Sequence, residues 1–294
     1  MSESNAQIAR DNHFVPIFYL NRWRGDDGKV EVVRKIRGKI VRSRRSPKNT
    51  GFTVDLYSYD EKFVEASPDE IETQILRPLD NSGAIIVSKI ISREELSDSE
   101  KEIWARFIVS MRMRSPTMIA KAEERASERI SRMLDDMEAD YHAHKSPNDP
   151  ETPLGWMNAN KPGLLESFGK RRLGQLINGS ELAAGLLAFK WMAIDLSKSS
   201  VPLLTSDHPC VYTKGLGDPL CLIALPLSPR HAFIAYRDQR LADKILSTKP
   251  SEVAKKFNGS VVAQCIARVY AASPTPDSFF QKRLRASEFD GEAA

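Results

Sequence analysis

The chain has 294 residues, of which 41% are hydrophobic and 28% are charged, and its formal net charge at pH 7 is +4. This composition is that of a soluble globular protein with enough apolar residues for a substantial core. No run of eighteen apolar residues occurs, and the polar N-terminus lacks the apolar core of a signal peptide. These features exclude a membrane-spanning chain and predict a cytoplasmic protein with no membrane partner.

The chain contains three cysteines, Cys210, Cys221 and Cys265. Their number is odd, and their spacing matches neither a zinc site nor a redox motif. We therefore expect reduced, partly buried thiols and no disulfide framework.

The segment His13-Phe14-Val15-Pro16 opens a dense aromatic run. Proline suits the first turn of a helix, so a short helix is predicted from Pro16. The large side chains that follow predict that this helix docks into a core. Histidine can act as a general base or a metal ligand, which makes His13 a catalytic candidate. The alternative is a structural histidine that caps the short helix.

A strongly basic hairpin is predicted next. Residues 30–43 alternate apolar and polar side chains around Arg37-Gly38, as expected for two strands joined by a glycine turn. Between Arg34 and Lys48 the chain carries eight basic residues and no acidic one. Such a surface can bind phosphates, and the candidate binding residues in it are Arg34, Lys35, Arg37, Arg42, Arg44 and Arg45. The alternative is a solvated edge whose charges discourage pairing with another strand.

The middle of the chain is predicted to be helical. After a short strand within 52–59, apolar spacing and capping residues indicate helices at 68–76, 98–112, 117–143, 163–177 and 180–197, with a further helical stripe between Pro78 and Ser92. Pro78 is expected to interrupt the first of these. The apolar stripe of 117–143, which contains Met133 and Met137, is expected to be core. Residues 145–163 are rich in proline and predict a surface loop.

The C-terminal third is predicted to return to strands, with a helix at 250–265 before a last strand at 267–272. Strands at both ends and helices between them predict an α+β fold in one domain, 1–294, with a β-rich part built from the N- and C-terminal thirds. Its core spans about 13–272, and 1–10 and 280–294 are expected to be flexible tails.

Several motifs together resemble domain-of-unknown-function family 4238. His13-Phe14-Val15-Pro16 with Phe18-Tyr19-Leu20 is similar to the family's opening His-Tyr-Val-Pro-x-Phe-Tyr-Leu. Thr205-Ser206-Asp207-His208-Pro209 resembles its Thr-Ser-Asp-Asn-Pro. Further matches are Asp55-Leu56-Tyr57, Arg114-Ser115-Pro116, Leu225-Pro226-Leu227-Ser228-Pro229 and Asn258. The resemblance covers about 13–272 and implies no established activity. In one respect the chain departs from the family, whose first helices often carry two glutamates about eight residues apart, whereas here Glu72 is followed by Asp80 beyond Pro78.

Asp207 is the leading catalytic candidate, because it lies in a polar cluster directly after an apolar strand. It could serve as a general base or a metal ligand. The alternative is a turn in which its carboxylate accepts nearby backbone amides. Arg114 could clamp a phosphate, or could form an ion pair with Asp80 or Asp207 that ties the helical middle to the β part.

Glu72, Asp80 and Asp207, with His13, would make a ligand set suited to Mg²⁺ or Mn²⁺. Together with the basic hairpin, this set predicts a metal-dependent phosphodiester hydrolase, nuclease-like and associated with defence, that acts on nucleic acid. The competing hypothesis is a non-catalytic nucleic-acid or protein interaction module. In that case the same polar residues hold the fold together. The sequence leaves protein partners open.

Overall fold

The computed structural model describes residues 10–59 and 67–285. The strands are β1 Asp11–His13, β2 Val30–Ile36, β3 Lys39–Arg45, β4 Phe52–Val54, β5 Lys190–Asp195, β6 Thr205–Ser206, β7 Val211–Tyr212, β8 Leu222–Ser228, β9 His231–Tyr236 and β10 Val269–Ala271. The helices are α1 Ile17–Leu20, α2 Arg77–Ser92, α3 Asp98–Met113, α4 Pro116–Asp135, α5 Glu138–His144, α6 Pro153–Asn160, α7 Leu164–Asn178, α8 Ser180–Leu187, α9 Gln239–Ser247, α10 Pro250–Gln264 and α11 Asp277–Gln281. The predicted α+β class with a helical middle is confirmed.

The chain forms two compact units, each made of separate stretches of sequence. One contains the described parts of Met1–Asn12, Val54–Pro78 and Pro116–Asn178, and the other those of His13–Thr53, Leu79–Ser115 and Gly179–Ala294. That all 294 residues form one domain stays a prediction, so each unit is described by itself.

The first unit is built around helices α4 and α7. Gly169 of α7 lies against the backbone of Glu123 in α4, where an added Cβ would stand 2.5 Å from the Glu123 Cα. Only a residue without a side chain permits this approach. Lys170 on the next position reaches the carbonyl of Ser58 at 2.9 Å. This glycine therefore sets the distance between the two helices.

The second unit contains two four-stranded antiparallel sheets. In one, the strand order is β3-β2-β10-β6, and in the other it is β5-β9-β8-β7. The first sheet joins the N-terminal hairpin to strands from the C-terminal third, as the sequence predicts. Helix α10 contributes to the cores of both sheets, through Val261 in one cluster and Val262 in the other.

The N-terminal aromatic segment enters the core of this unit. Tyr19, Leu20 and Trp23 are fully buried, and Pro16 immediately precedes α1. The predicted start of the helix and its docking are confirmed. The residue before the helix, Pro16, makes no side-chain capping bond. That His13 caps the helix stays a prediction.

Two predicted helix boundaries are wrong. Pro78 does not interrupt a helix, because a π-helix at Ile71–Leu76 continues directly into α2, and the Arg77 amide just before the proline donates to the Glu72 carbonyl five residues earlier. The predicted helix at 180–197 ends at Leu187, and its second half is strand β5. The indole of Trp191 donates to the Leu186 carbonyl at 3.2 Å and helps to end the helix there.

The segments 117–143 and 145–163 also differ from their predicted structures. The helix at 117–143 is divided into α4 and α5. Its apolar stripe is half-buried over most of its length, with Ile119 buried, and is exposed only towards its end, where Met133 and Met137 are 59% and 54% accessible. The predicted loop at 145–163 contains α6, which Thr152 caps by accepting the Gly155 amide at 3.0 Å.

The predicted C-terminal tail begins too early. Phe280 and Leu284 are buried in a cluster with Val33 and Cys265, so residues 280–285 belong to the fold. The predicted tails at 1–9 and 286–294 lie outside the described residues. Across the described ranges, every helix is too short or too polar to span a bilayer.

Candidate functional site

Asp207 holds a remote backbone segment. Its Oδ1 accepts the amide of Ile266 at 2.9 Å, and its Oδ2 accepts the amides of Ala267 and Arg268 at 2.7 and 2.8 Å. The residue is 3% exposed, and its own amide donates to the Arg268 carbonyl at 3.0 Å. The carboxylate therefore fastens the residue after β6 to the connection between α10 and β10. These amides are about 60 residues from Asp207 in sequence. The alternative of a local turn, in which the carboxylate accepts nearby amides, is therefore wrong.

The residues that carry the family resemblance bind to one another around β6. The Tyr19 hydroxyl lies 2.7 Å from the Thr205 hydroxyl and donates to the Pro226 carbonyl at 2.7 Å. The Asn258 side chain accepts the Leu204 amide at 2.8 Å.

The segment 202–204, which leads into β6, receives two further hydrogen bonds. The Trp23 indole donates to the Leu203 carbonyl at 3.0 Å, and the Asn258 amide donates to the Pro202 carbonyl at 2.9 Å. We call Tyr19, Trp23, Thr205, Asp207 and Asn258 the motif network. Each of its members is buried and contributes a bond that positions the segment 202–207. Such bonds are costly to lose, because a buried polar group without a partner is unfavourable.

His13 lies beside the end of the basic hairpin. Its Nε2 is 3.2 Å from the Lys48 carbonyl, and because a carbonyl only accepts, that nitrogen is the donor. The ring also packs against Phe52, with the two centroids 5.3 Å apart. This contact and this hydrogen bond give the half-buried His13 a structural role.

Arg114 and Asp80 form a buried ion pair. One guanidinium nitrogen of the fully buried Arg114 lies 2.9 and 3.0 Å from the two carboxylate oxygens of Asp80. Burial raises the pKa of Asp80, and the charge of Arg114 offsets part of that rise. The pair joins α2 to the end of α3. The alternative of an ion pair with Asp80 therefore holds, but the pair links two helices and not the helical middle to a sheet.

The predicted metal ligands have other surroundings. Glu72 lies in the π-helix that precedes α2, Asp80 faces Arg114, and the oxygens of Asp207 accept three amides. Over residues 10–59 and 67–285, no three histidine, cysteine, aspartate or glutamate side chains come together so that they could hold a metal ion. The assignment of these residues to Mg²⁺ or Mn²⁺ stays a prediction without geometric support.

The cysteines are free and buried, as predicted. Burial raises the pKa of the Cys210 thiol to about 12, and burial followed by the charge of Asp207 raises that of Cys265 well above its ordinary value. A thiol must lose its proton to attack or to bind a metal. These groups are neutral at physiological pH and serve as core side chains.

The basic hairpin has the predicted strands and a two-residue turn, in which both Arg37 and Gly38 have positive φ, 48° and 79°. One face of it, the paired face, carries Lys35, Arg42 and Arg44. Arg42 binds the buried Glu31 at 2.6 Å and also Asp277, and the Lys35 amine donates to the Gln281 carbonyl at 2.9 Å.

Arg44 completes the paired face by binding the Asp27 carboxylate, with its Nε 3.0 Å from Oδ2. These three cations attach the hairpin to α11 and to the turn before β2. Three of the six predicted phosphate-binding residues are therefore already engaged within the protein.

The other face, the open face, carries Arg34, Lys39 and Arg45, and Arg37 lies in the turn beside it. The register places Arg34 opposite Val41, and Arg45 opposite Val30, on this same side. Lys39 and Arg45 are exposed and Arg34 is half-buried. Within the described residues, none of the three forms an ion pair, and no acidic residue of β2 or β3 shares their face. The cations of the open face are thus without carboxylate partners among the described residues, whereas Val30 and Val32 on the same side are buried.

A cleft in the second unit contains residues that the sequence did not single out. Arg112, Lys214 and Arg285 line it, beside β7 and one face of α10. They come from three distant parts of the chain, so no spacing could have indicated them. Only the fold brings them together.

These observations define the second unit as an antiparallel two-sheet scaffold with a buried polar network and an exposed basic hairpin. The chain belongs to the family described as a protein of unknown function, DUF4238, whose model matches residues 11–275. The resemblance noted in the sequence is thereby confirmed. Comparisons with curated proteins and with solved structures gave no match.

Proposed function

We propose that the protein binds nucleic acid through the open face of the basic hairpin, and that it does so without cleaving the bound strand. The observation that carries this proposal is the division of the hairpin into two faces. Carboxylates or backbone carbonyls of the protein itself bind Lys35, Arg42 and Arg44. The cations of the open face, in contrast, have no carboxylate partner among the described residues.

Free cations on a strand surface attract phosphates regardless of base sequence. Arg34, Lys39 and Arg45 lie on neighbouring strands, with the exposed Val41 among them. The paired face keeps the hairpin attached to the protein, so the open face presents a fixed row of charges. A rigid arrangement loses little conformational entropy on binding.

The alternative of a solvated edge explains why β3 carries charge at all. It does not require that one face be neutralised and the other left free. Charges that only discourage pairing would serve equally well on either face.

The residues first considered catalytic support the non-catalytic form of the proposal. The carboxylate oxygens of Asp207 already accept three amides, and Asp80 is paired with Arg114. A general base or a metal ligand needs a lone pair directed at a substrate or an ion. The nuclease hypothesis therefore remains a prediction that no contact in these residues favours.

The test compares two variants of equal charge. In the open-face variant, Arg34, Lys39 and Arg45 are changed to Gln. In the control variant, the exposed Lys121, Arg125 and Arg129 of α4 are changed to Gln. Affinity for labelled single-stranded and duplex oligonucleotides is measured by fluorescence anisotropy at a fixed salt concentration.

We expect the open-face variant to lose at least tenfold in affinity and the control variant to stay within about twofold of the wild type. Equal losses in the two variants would show that only net charge matters, and would contradict the proposal. The same mixtures are incubated with Mg²⁺ or Mn²⁺. Cleavage by the wild type that Asp207→Ala or His13→Ala abolishes in a folded protein would contradict the non-catalytic part.

A further inference from the structure

A cleft of about 800 Å³ lies in the second unit, and none of its lining residues belongs to the basic hairpin. One wall is the segment from His208 to Gly215, which includes β7. The other is a face of α10 formed by Ser260, Ala263 and Gln264. We call this the cationic cleft. Its volume is within the range of pockets that hold small molecules.

Three cations border the cationic cleft. Arg112 is exposed at the end of α3, and its guanidinium lies over the Tyr212 ring, 4.2 Å from the centroid. This stacking fixes the direction of the guanidinium without neutralising it. Arg285 is exposed beyond α11. Neither arginine forms an ion pair within the described residues.

Lys214 is the third cation, and it is paired with Asp218 at 3.3 Å on the surface. An exposed ion pair of this kind contributes little to stability, so an anion in the cleft can take the place of Asp218 beside Lys214. The described residues that line the cleft include no aspartate or glutamate. The electrostatic potential in the cleft is therefore positive.

Polar groups other than the cations also face the space. The Gln264 amide nitrogen donates to the His208 carbonyl at 2.7 Å, which leaves its carbonyl oxygen as an acceptor. The Ser260 hydroxyl lies one helical turn away. These groups can hydrogen-bond the uncharged part of a ligand whose anionic part meets the arginines.

We propose that the cationic cleft binds a small organic phosphate of about the size of a mononucleotide. Arg112 and Arg285 hold the phosphate, Lys214 adds charge, and Gln264 and Ser260 contact the remainder of the molecule. The Cys210 thiol does not take part in this binding, because it is buried and directed at the Ile108 carbonyl, 3.7 Å away. This site is independent of the nucleic-acid surface proposed for the hairpin.

The experiment is isothermal titration calorimetry of the full chain with adenosine monophosphate and with inorganic phosphate. We expect the nucleotide to bind at least tenfold more tightly than inorganic phosphate, because only the nucleotide reaches Gln264 and Ser260. Equal affinities, or no measurable binding of either, would overturn the proposal.

Single substitutions test whether the nucleotide binds in the cationic cleft. Arg285→Gln, at an exposed position near the end of the described chain, should weaken nucleotide binding at least tenfold, and Arg112→Gln should do the same. Arg112→Lys keeps the charge and should lose less. Lys255→Gln, an exposed change on another face of α10, should leave the affinity unchanged. If Arg285→Gln and Arg112→Gln both bind as the wild type does, the site is not this cleft.

The proposals for the hairpin and for the cationic cleft can be tested independently. The open-face variant should bind the nucleotide with wild-type affinity, and Arg285→Gln should bind oligonucleotides with wild-type affinity. Loss of nucleotide binding in the open-face variant would contradict the claim that the cleft is an independent site. Loss of oligonucleotide binding alone in that variant would support the open face as the nucleic-acid surface and would leave the cleft unaffected.

Discussion

The motif network and the open face of the hairpin lie in the same unit and use their polar residues in opposite ways. Asp207 and its neighbours are buried, and each makes hydrogen bonds inside the protein. Arg34, Lys39 and Arg45 reach solvent and have no carboxylate partner among the described residues. The residues by which the chain is recognised are thus those that build the fold. The surface that we propose for binding carries no recognisable motif.

This difference explains why membership of the family does not indicate an activity. A motif whose side chains satisfy backbone groups is required by the scaffold, whatever the scaffold does. If the two regions are separate in this way, substitutions in the motif network should lower stability, and substitutions on the open face should lower binding without affecting stability.

Asp207→Ala should lower the free energy of unfolding by about 5 kcal/mol. The change leaves three buried amide donors without acceptors, and each costs about 1–3 kcal/mol. Urea denaturation measures the effect. Asp243→Ala, at an exposed position of α9, is the matched control and should change stability by less than about 0.5 kcal/mol. A variant at Asp207 as stable as the wild type would mean that the motif network does not hold the fold.

Arg114→Met should cost about 3–5 kcal/mol at neutral pH, because it leaves the Asp80 carboxylate buried without its partner. Burial already raises the pKa of Asp80, and loss of Arg114 would raise it further. A raised carboxyl pKa means that the folded state holds the proton more tightly. Stability from this group is therefore present below the unfolded pKa and is lost as pH rises through the folded pKa.

The destabilisation by Arg114→Met should accordingly be smaller at pH 4 than at pH 7, when wild type and variant are compared by thermal unfolding. The double variant Arg114→Met with Asp80→Asn removes the unpaired charge and should regain part of the loss. A loss that is the same at both pH values would show that missing packing, and not the charge of Asp80, is responsible.

Arg42→Gln and Arg45→Gln compare the two faces of the hairpin directly. Loss of Arg42 leaves the buried Glu31 without its ion-pair partner and should cost about 1–3 kcal/mol. Arg45 binds no carboxylate among the described residues, so its loss should cost less than about 0.5 kcal/mol. Unfolding in urea distinguishes them. Equal costs would remove the distinction between the paired face and the open face.

The sequence predicts the parts of the fold that depend on local signals. Arg37-Gly38 marks the hairpin turn, and Ser97 with Glu100 marks the start of α3, where the structure has a reciprocal cap. Asp238 is a comparable signal for the start of α9, where it accepts the Arg240 amide at 2.9 Å. Strand β5 was predicted as helix because a short apolar run fits both patterns until its partner β9 is known.

The partners of side chains were not predictable in the same way. Asp207 binds amides that lie beyond α10, and Arg112 meets Arg285 across one cleft only because of the fold. The two faces of the hairpin, in contrast, follow from strand alternation. Arg34 and Lys35 are adjacent and must point to opposite sides. This signal was present in the sequence, although all six residues were assigned to one surface.

The salt dependence of oligonucleotide affinity tests the central claim most directly. The logarithm of the binding constant falls with the logarithm of salt concentration in proportion to the number of phosphates neutralised. Removal of three contacts in the open-face variant should reduce the magnitude of the slope by about 2 for a single strand and by about 3 for a duplex. The control variant on α4 should keep the wild-type slope. An open-face variant with the wild-type slope would contradict the account.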